Sequence, residues 1–391
     1  MPTGAVICEY NPFHNGHAFQ LRYMREQLGC DAVVCMMSGN FVQRGEPAVL
    51  DKWTRARLAL QHGADLVLEL PSPYALCSGE GFARHGVALL HRTGVVDTLC
   101  FGSECGDTSA LMEAAALLLH PDILDEIRTE MKDGAGFAAV RQRVVQRHDP
   151  SLGKLLTQPN DILGIEYCKA LLTEGSHIQP AALLRQGAGH HSPEAAGGFA
   201  SGSYLRQHYW QEQAMHLMPS EEVHLLRQAS PLPSVTSLEQ ALLYHLRTMQ
   251  PEQLREIYDV TEGLEYRILS SAIQSLHFQQ LLAGLRTRRY PDARLRRVLM
   301  CALLGIQKYW NQEPAYYLRV LGCNRRGMEL LAQMRDAAAC PVLTKPAHYR
   351  RLPERERELF ELECRCTSVY SLAAHKLLDE RTMNPVILLP Q

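Results

Sequence analysis

His14 and His17 sit three residues apart in EYNPFHNGHAFQL (Glu9–Leu21), with Gly16 between them. Residues at i and i+3 share a helix face, so both imidazoles can address one point. Beside the unpaired N–H groups and positive dipole end of a helix N-terminus, they make a corner for phosphate. They can donate hydrogen bonds and supply positive charge as a phosphorane-like state forms. Asn11 or Asn15 can cap that helix, Pro12 suits its first turn, and Gly16 lets the backbone approach a bulky ligand. The spacing permits zinc, but no third ligand stands nearby and no metal site is assigned. A second cluster, ASGSYLR, offers the Ser201 and Ser203 hydroxyls and the Arg206 fork to phosphate. A third is RTRRYPDARLRR, with Arg286, Arg288, Arg289, Arg294, Arg296 and Arg297 around Tyr290. Arginines hold phosphate backbones and an aromatic stacks on an unpaired base, so this segment reads as an RNA grip.

The elements that must position these groups are legible as alternation. GAVICEY, DAVVCMM, ADLVLELP and VVDTLCFGSE read as buried strands. Between them HAFQLRYMREQL, DKWTRARLALQHG and GEGFARHGVALLHRTG have helical periodicity, the last two stopping at Gly63 and Gly94. Apolar strands alternating with helices indicate an α/β fold with a doubly wound, Rossmann-like parallel sheet. In such sheets ligands bind beyond the carboxyl ends of the strands, where EYNPFHNGH lies. IQPAALLR (Ile178–Arg185) is expected to rejoin the sheet. After Pro219 the pattern reads as almost entirely helical. Two domains are expected: residues 1–218, catalytic, and residues 219–391, an α-helical domain for RNA.

The 391 residues carry a net charge of −2, so any nucleic-acid contact must come from a local patch. The twelve cysteines are scattered without a CxxC pair, and Cys364 and Cys366 form a lone CxC read as structural. They read as reduced thiols of a cytoplasmic protein. No apolar run is long enough for a membrane span, and the N-terminus lacks the basic flank of a signal peptide.

HNGH resembles the (H/T)xGH motif of the nucleotidylyltransferase superfamily, and ASGSYLR its SSTxxR motif, with Gly202 replacing the middle residue. The order of CEYNPFHNGHAFQL, MSGNFVQRGEPAVLDKWTRARLAL, GADLVLELP, FGSE, QPNDILGIEYCKAL and RTRRYPDARLRRVLM is similar to one bacterial family, the tRNA(Met) cytidine acetate ligases. The resemblance covers nearly the whole chain. It implies activation of acetate by ATP, with Mg²⁺, as acetyl-adenylate. Acetyl transfer to N4 of the wobble cytidine of elongator tRNA(Met) then gives N4-acetylcytidine. It places ATP along Ile7, Cys8, Glu9, Tyr10, Asn11, Pro12, Phe13, His14, Asn15, Gly16, His17, Ala18, Phe19 and Gln20. Gly102, Asn160 and Arg185 complete that site, with Ser201 and Ser203 on the phosphates and His14, His17 and Arg206 as catalytic groups. Gln186 and His190–His191 stand where the family carries a second basic residue and a Tyr-His element. The loop from Ser38, with Gln43, Arg44 and Glu46, is expected to close on the triphosphate or acyl pocket, followed by Lys52 and Arg55. A small-molecule nucleotidylyltransferase using ATP is the alternative reading; a non-catalytic RNA-binding protein fits the intact His14, His17 and Arg206 poorly.

Overall fold

The computed structural model describes residues 2–131, 136–185, 198–261, 263–287 and 290–389; Gln186, His190, His191, Arg288 and Arg289 lie outside it. Its first three long strands are β1 (Thr3–Cys8), β2 (Ala32–Ser38) and, after the two-residue β3 (Phe41–Val42) and β4 (Glu46–Pro47), β5 (Leu66–Leu70). Every residue of β1, β2 and β5 is buried, which is why they read as unbroken apolar runs rather than alternating ones. β6 (Thr98–Ser103) and β7 (Gln179–Leu184) follow. These strands lie in the order β5-β2-β1-β6-β7, all parallel. That is the expected doubly wound sheet, and its order reverses between β1 and β6.

Helix α1 (Asn15–Glu26) leaves the end of β1, and α2 (Lys52–Gln61) follows the β3–β4 hairpin. The helix Gly79–Thr93 is capped by Ser78 and ends at Gly94, whose φ of +67° is the left-handed stop anticipated there. Among the described residues the crossover between β6 and β7 is built of helices, ending in the helix Pro159–Thr173. All twelve cysteines are free thiols. Among the described residues no helix is long and apolar enough to cross a membrane.

The second half is mostly helical, as read, with one departure. Helices dominate it, including Ser220–Gln228, Asp292–Leu304 and Glu354–Ala374, but three strands return to the sheet: β8 (Leu318–Asn324), β9 (Val342–Leu343) and β10 (Val386–Leu388). β8 pairs antiparallel with β5, and β9 and β10 pair with β8. A boundary at residue 218 falls between helices, but strands from both sides of it form one sheet. Arg319 breaks the apolar pattern of β8, which hid it; the side chain is buried against Glu380. That pair belongs to a buried charge cluster. Lys52 Nζ contacts Glu69 Oε1 at 2.5 Å and Glu380 Oε2 at 2.7 Å. Burial alone would lower the ammonium pKa, but Glu380 and Glu69 outweigh it and raise it. Glu363 accepts from the Ser72 N–H and hydroxyl, and burial, then Glu69, push its carboxyl up to about 8. The C-terminal segment is thus fastened to the carboxyl edge of β2 and β5 by ionic and hydrogen-bonded contacts.

Candidate active site

A cleft of about 500 Å³ opens at the carboxyl ends of β1, β6 and β7, where the strand order reverses. Beyond β1 the backbone turns at Tyr10, whose φ of +48° lies in the left-handed region. That conformation costs an L-residue about 1–2 kcal/mol, and such strain concentrates at functional sites. The turn is held from below. Phe13 is buried, stacked on His62 at 5.1 Å, with the Tyr10 ring edge-on to it at 4.9 Å.

The cap of α1 is His14, not Asn11 or Asn15. Its Nδ1 accepts from the Gly16 N–H at 3.1 Å, and His17 Nδ1 accepts from the His14 N–H at 3.3 Å. Asn11 Oδ1 instead accepts from the Val49 N–H, and Asn15 donates to the His216 carbonyl. The reciprocal cap fixes both tautomers. Each neutral imidazole uses its Nδ1 lone pair on the backbone and so carries its proton on Nε2. The rings stack at 3.7 Å and both line the cleft. Burial, then Arg185, lowers the His14 pKa to about 3; burial, His14 and Arg185 lower that of His17 well below the usual range. The histidines are therefore neutral N–H donors near pH 7, not the cations expected from spacing. Positive charge comes from guanidinium groups.

Arg44, Arg185 and Arg206 all line the cleft. Arg206 donates to the Asn11 carbonyl at 2.6 Å and to Ser203 Oγ at 3.2 Å, and Arg44 donates to the same hydroxyl at 3.0 Å. Ser201 caps the helix Gly202–His208 through the Tyr204 N–H. The ASGSYLR cluster is thereby joined to the turn after β1. Gly102 lies under Arg185: a Cβ there would stand 3.5 Å from Arg185 Cγ. Asn160 lines the cleft while its Nδ2 donates to Glu104 at 2.6 Å. Gln20 also lines it and donates to the Cys100 carbonyl. Of the run from Ile7 to Gln20, Pro12, Phe13, Asn15 and Ala18 do not line the cleft.

Lys52 and Arg55 do not reach it either; both are fully buried. Arg55 donates to the carbonyls of Leu50, Glu9 and Gly39, bracing the loop instead of a ligand. Gln43 and Arg44 do line the cleft, as expected of that loop. In the arginine segment, Arg286 pairs with Asp292, Arg294 with Asp259 and Arg296 with Glu46. Arg297 is buried and so faces no phosphate.

The family of HIGH nucleotidyl transferases matches residues 1–384. A tRNA(Met) cytidine acetate ligase of Thermoanaerobacter sp. (strain X514) is 37% identical over 94% of both chains. One from Acetivibrio thermocellus is 35% identical over 99% of this chain and 100% of its own. The chain belongs to this ligase family. Crystal structures of Thermotoga maritima TmcAL, 30% identical, superpose over 100% of both chains. The TM-scores are 0.93 for the apo form and 0.91 for a form bound with alpha-thio ATP.

The apolar wall of the ligase cleft was not singled out from sequence. Phe82, Phe101, Ile162, Leu163, Tyr167 and Phe199 contribute to it. On a helix or strand such residues look like core, and only the crossover that turns them toward β1 distinguishes them.

Proposed function

We propose that the protein is a cytoplasmic, ATP-dependent tRNA(Met) cytidine acetate ligase. It activates acetate as acetyl-adenylate and transfers the acetyl group to N4 of the wobble cytidine of elongator tRNA(Met). The observation that carries this reading is the convergence of two Nε2–H imidazoles and three guanidinium groups on one cleft at the sheet's reversal point. The relatives bearing that name support it along the full chain.

Adenylation needs no protein nucleophile. An acetate oxygen attacks the α-phosphorus in line and pyrophosphate leaves, so catalysis is positioning and charge stabilisation. His14 and His17 donate to phosphoryl oxygens as charge shifts; one such preorganised donor is worth about 3–4 kcal/mol. Arg44, Arg185 and Arg206 offset the phosphate charge. Mg²⁺ would be carried by the triphosphate and would neutralise part of its charge. Glu9, set among Arg44, Arg55 and Arg206, does not offer it a carboxylate cage. Elongator tRNA(Met) is proposed to lie across the second half, with Arg286, Arg294 and Arg296 among its phosphate contacts.

One reaction tests the reading: protein, ATP, Mg²⁺, isotopically labelled acetate and bacterial tRNA lacking the modification, followed by nuclease digestion and mass spectrometry. Labelled N4-acetylcytidine is expected. Nucleotide binding without label would refute it in favour of a small-molecule acceptor.

A further inference from the structure

We propose that Glu9 is the general base that takes the N4 proton when cytidine attacks acetyl-adenylate, an inference that rests on the function proposed above. In that step the N4–carbonyl carbon bond forms and the bond from that carbon to the adenylate oxygen breaks. The electron pair leaves on AMP. The N4 proton passes to the Glu9 carboxylate, which later releases it to water.

Glu9 stands at the end of β1 and lines the cleft, half-buried. Its Oε1 accepts from the Gln43 N–H at 2.7 Å, which fixes the carboxylate's position. Among the described residues one other carboxylate lines the cleft, Glu166, and it is bound to Arg141 and Lys169. The histidines cannot serve. The lone pair of each imidazole is committed to a backbone N–H of the α1 cap, so both present only donors. The cleft's Arg, Gln, Asn and Ser side chains are not bases at neutral pH. Burial raises the thiol of Cys8 and the phenols of Tyr10 and Tyr167, keeping them protonated.

A carboxylate in a cleft built for phosphates repels its ligand, so Glu9 needs a use that offsets that repulsion. Holding a divalent cation fits poorly, because the guanidinium groups of Arg206, Arg44 and Arg55 bear on the same carboxylate. Accepting a proton from an uncharged amine fits well. Burial raises the Glu9 pKa against the opposing Gln43 N–H and those arginines, moving its basicity toward neutral pH. Tyr167 faces it from the helix Pro159–Thr173.

The test separates the half-reactions in the full-length protein. Glu9→Gln keeps an acceptor for Gln43 and removes the base; Glu9→Asp keeps a carboxylate. Acetate-dependent ATP–pyrophosphate exchange reads adenylation, and single-turnover transfer to tRNA reads the second step, both across pH. In Glu9→Gln, transfer should fall about 10²–10⁴-fold more than exchange, as expected for loss of a general base. The acid limb of the wild-type transfer profile should also vanish. Glu9→Asp should recover part of the rate and keep the limb. Equal loss of both half-reactions would assign Glu9 to binding and overturn the proposal, as would unchanged transfer. No N4-acetylcytidine from the wild type would instead refute the functional reading itself.

Discussion

Glu222 gives the sharpest stability prediction. It is fully buried in the helix Ser220–Gln228, beneath the turn that precedes His14. Its Oε1 accepts from the Phe13 N–H at 3.3 Å, and its Oε2 has no partner among the described residues. Burial pushes its pKa from 4.5 up to about 8, against the Phe13 N–H and Arg55. A carboxyl with a raised folded pKa is protonated in the native state while the unfolded chain ionises. Its contribution is complete below about pH 4.5 and is lost as pH rises to about 8. At 1.36 kcal/mol per unit the loss is about 3 kcal/mol by pH 7 and about 5 kcal/mol above pH 8. Glu222→Gln cannot ionise. At pH 5 its amide, with one more donor than the acid to satisfy, should leave it equal to the wild type or up to about 2 kcal/mol less stable. Near pH 8.5 it should be the more stable of the two. Urea unfolding at matched pH values measures this directly. Glu363, also raised to about 8, gives both proteins a common slope of the same sign, so the difference between them is the diagnostic quantity. If that difference stays constant from pH 5 to pH 8.5, Glu222 is ionised in the fold and the reasoning fails.

Lys52→Met should cost about 3–5 kcal/mol in denaturant unfolding, because it leaves Glu69 and Glu380 buried without their shared cation. A loss under 1 kcal/mol would mean that water reaches the cluster. In Gly16→Ala the new Cβ would stand 3.0 Å from His14 Cε1 and displace that ring. Calorimetry with ATP should show unchanged folding and roughly 10–100-fold weaker binding or turnover, since small misplacements are costly in such sites; wild-type affinity and rate together would show that His14 does not address the nucleotide. Arg286→Ala should lower the slope of log binding constant against log salt for tRNA by about 1, whereas buried Arg297→Ala should lower stability and leave the slope alone. The reverse pattern would move the RNA grip elsewhere.

β1, β2 and β5 were legible because each is buried on both faces and its residues are correspondingly apolar. The histidine corner was legible because HxGH chemistry is local: His14, Gly16 and His17 lie within one helical turn. What failed were inferences needing a partner far away in sequence. Lys52 and Arg55 look like solvent-facing or ligand-facing cations until Glu69, Glu380 and the loop carbonyls of Glu9 and Gly39 are placed around them. β8 was missed because its Arg319 is acceptable in a buried strand only when Glu380 arrives from further along the chain. The charge state of the histidines was misjudged for a related reason. Their spacing reveals a shared face but not the burial and the Arg185 charge that keep them neutral.

The seat of β8 bears on how the protein is made. β5, buried throughout once folded, is flanked by β2 on one side and on the other by a strand that begins 248 residues later, at Leu318. At about 5–20 residues per second, a ribosome needs roughly 10–50 s to cover that distance. During that interval the nascent nucleotide half carries an open apolar edge, the sort that recruits stray strands. Catalytic competence therefore comes late in synthesis, after the helical half has emerged. Cutting the gene at the apparent domain boundary should yield an N-terminal fragment that associates with itself rather than a smaller working enzyme.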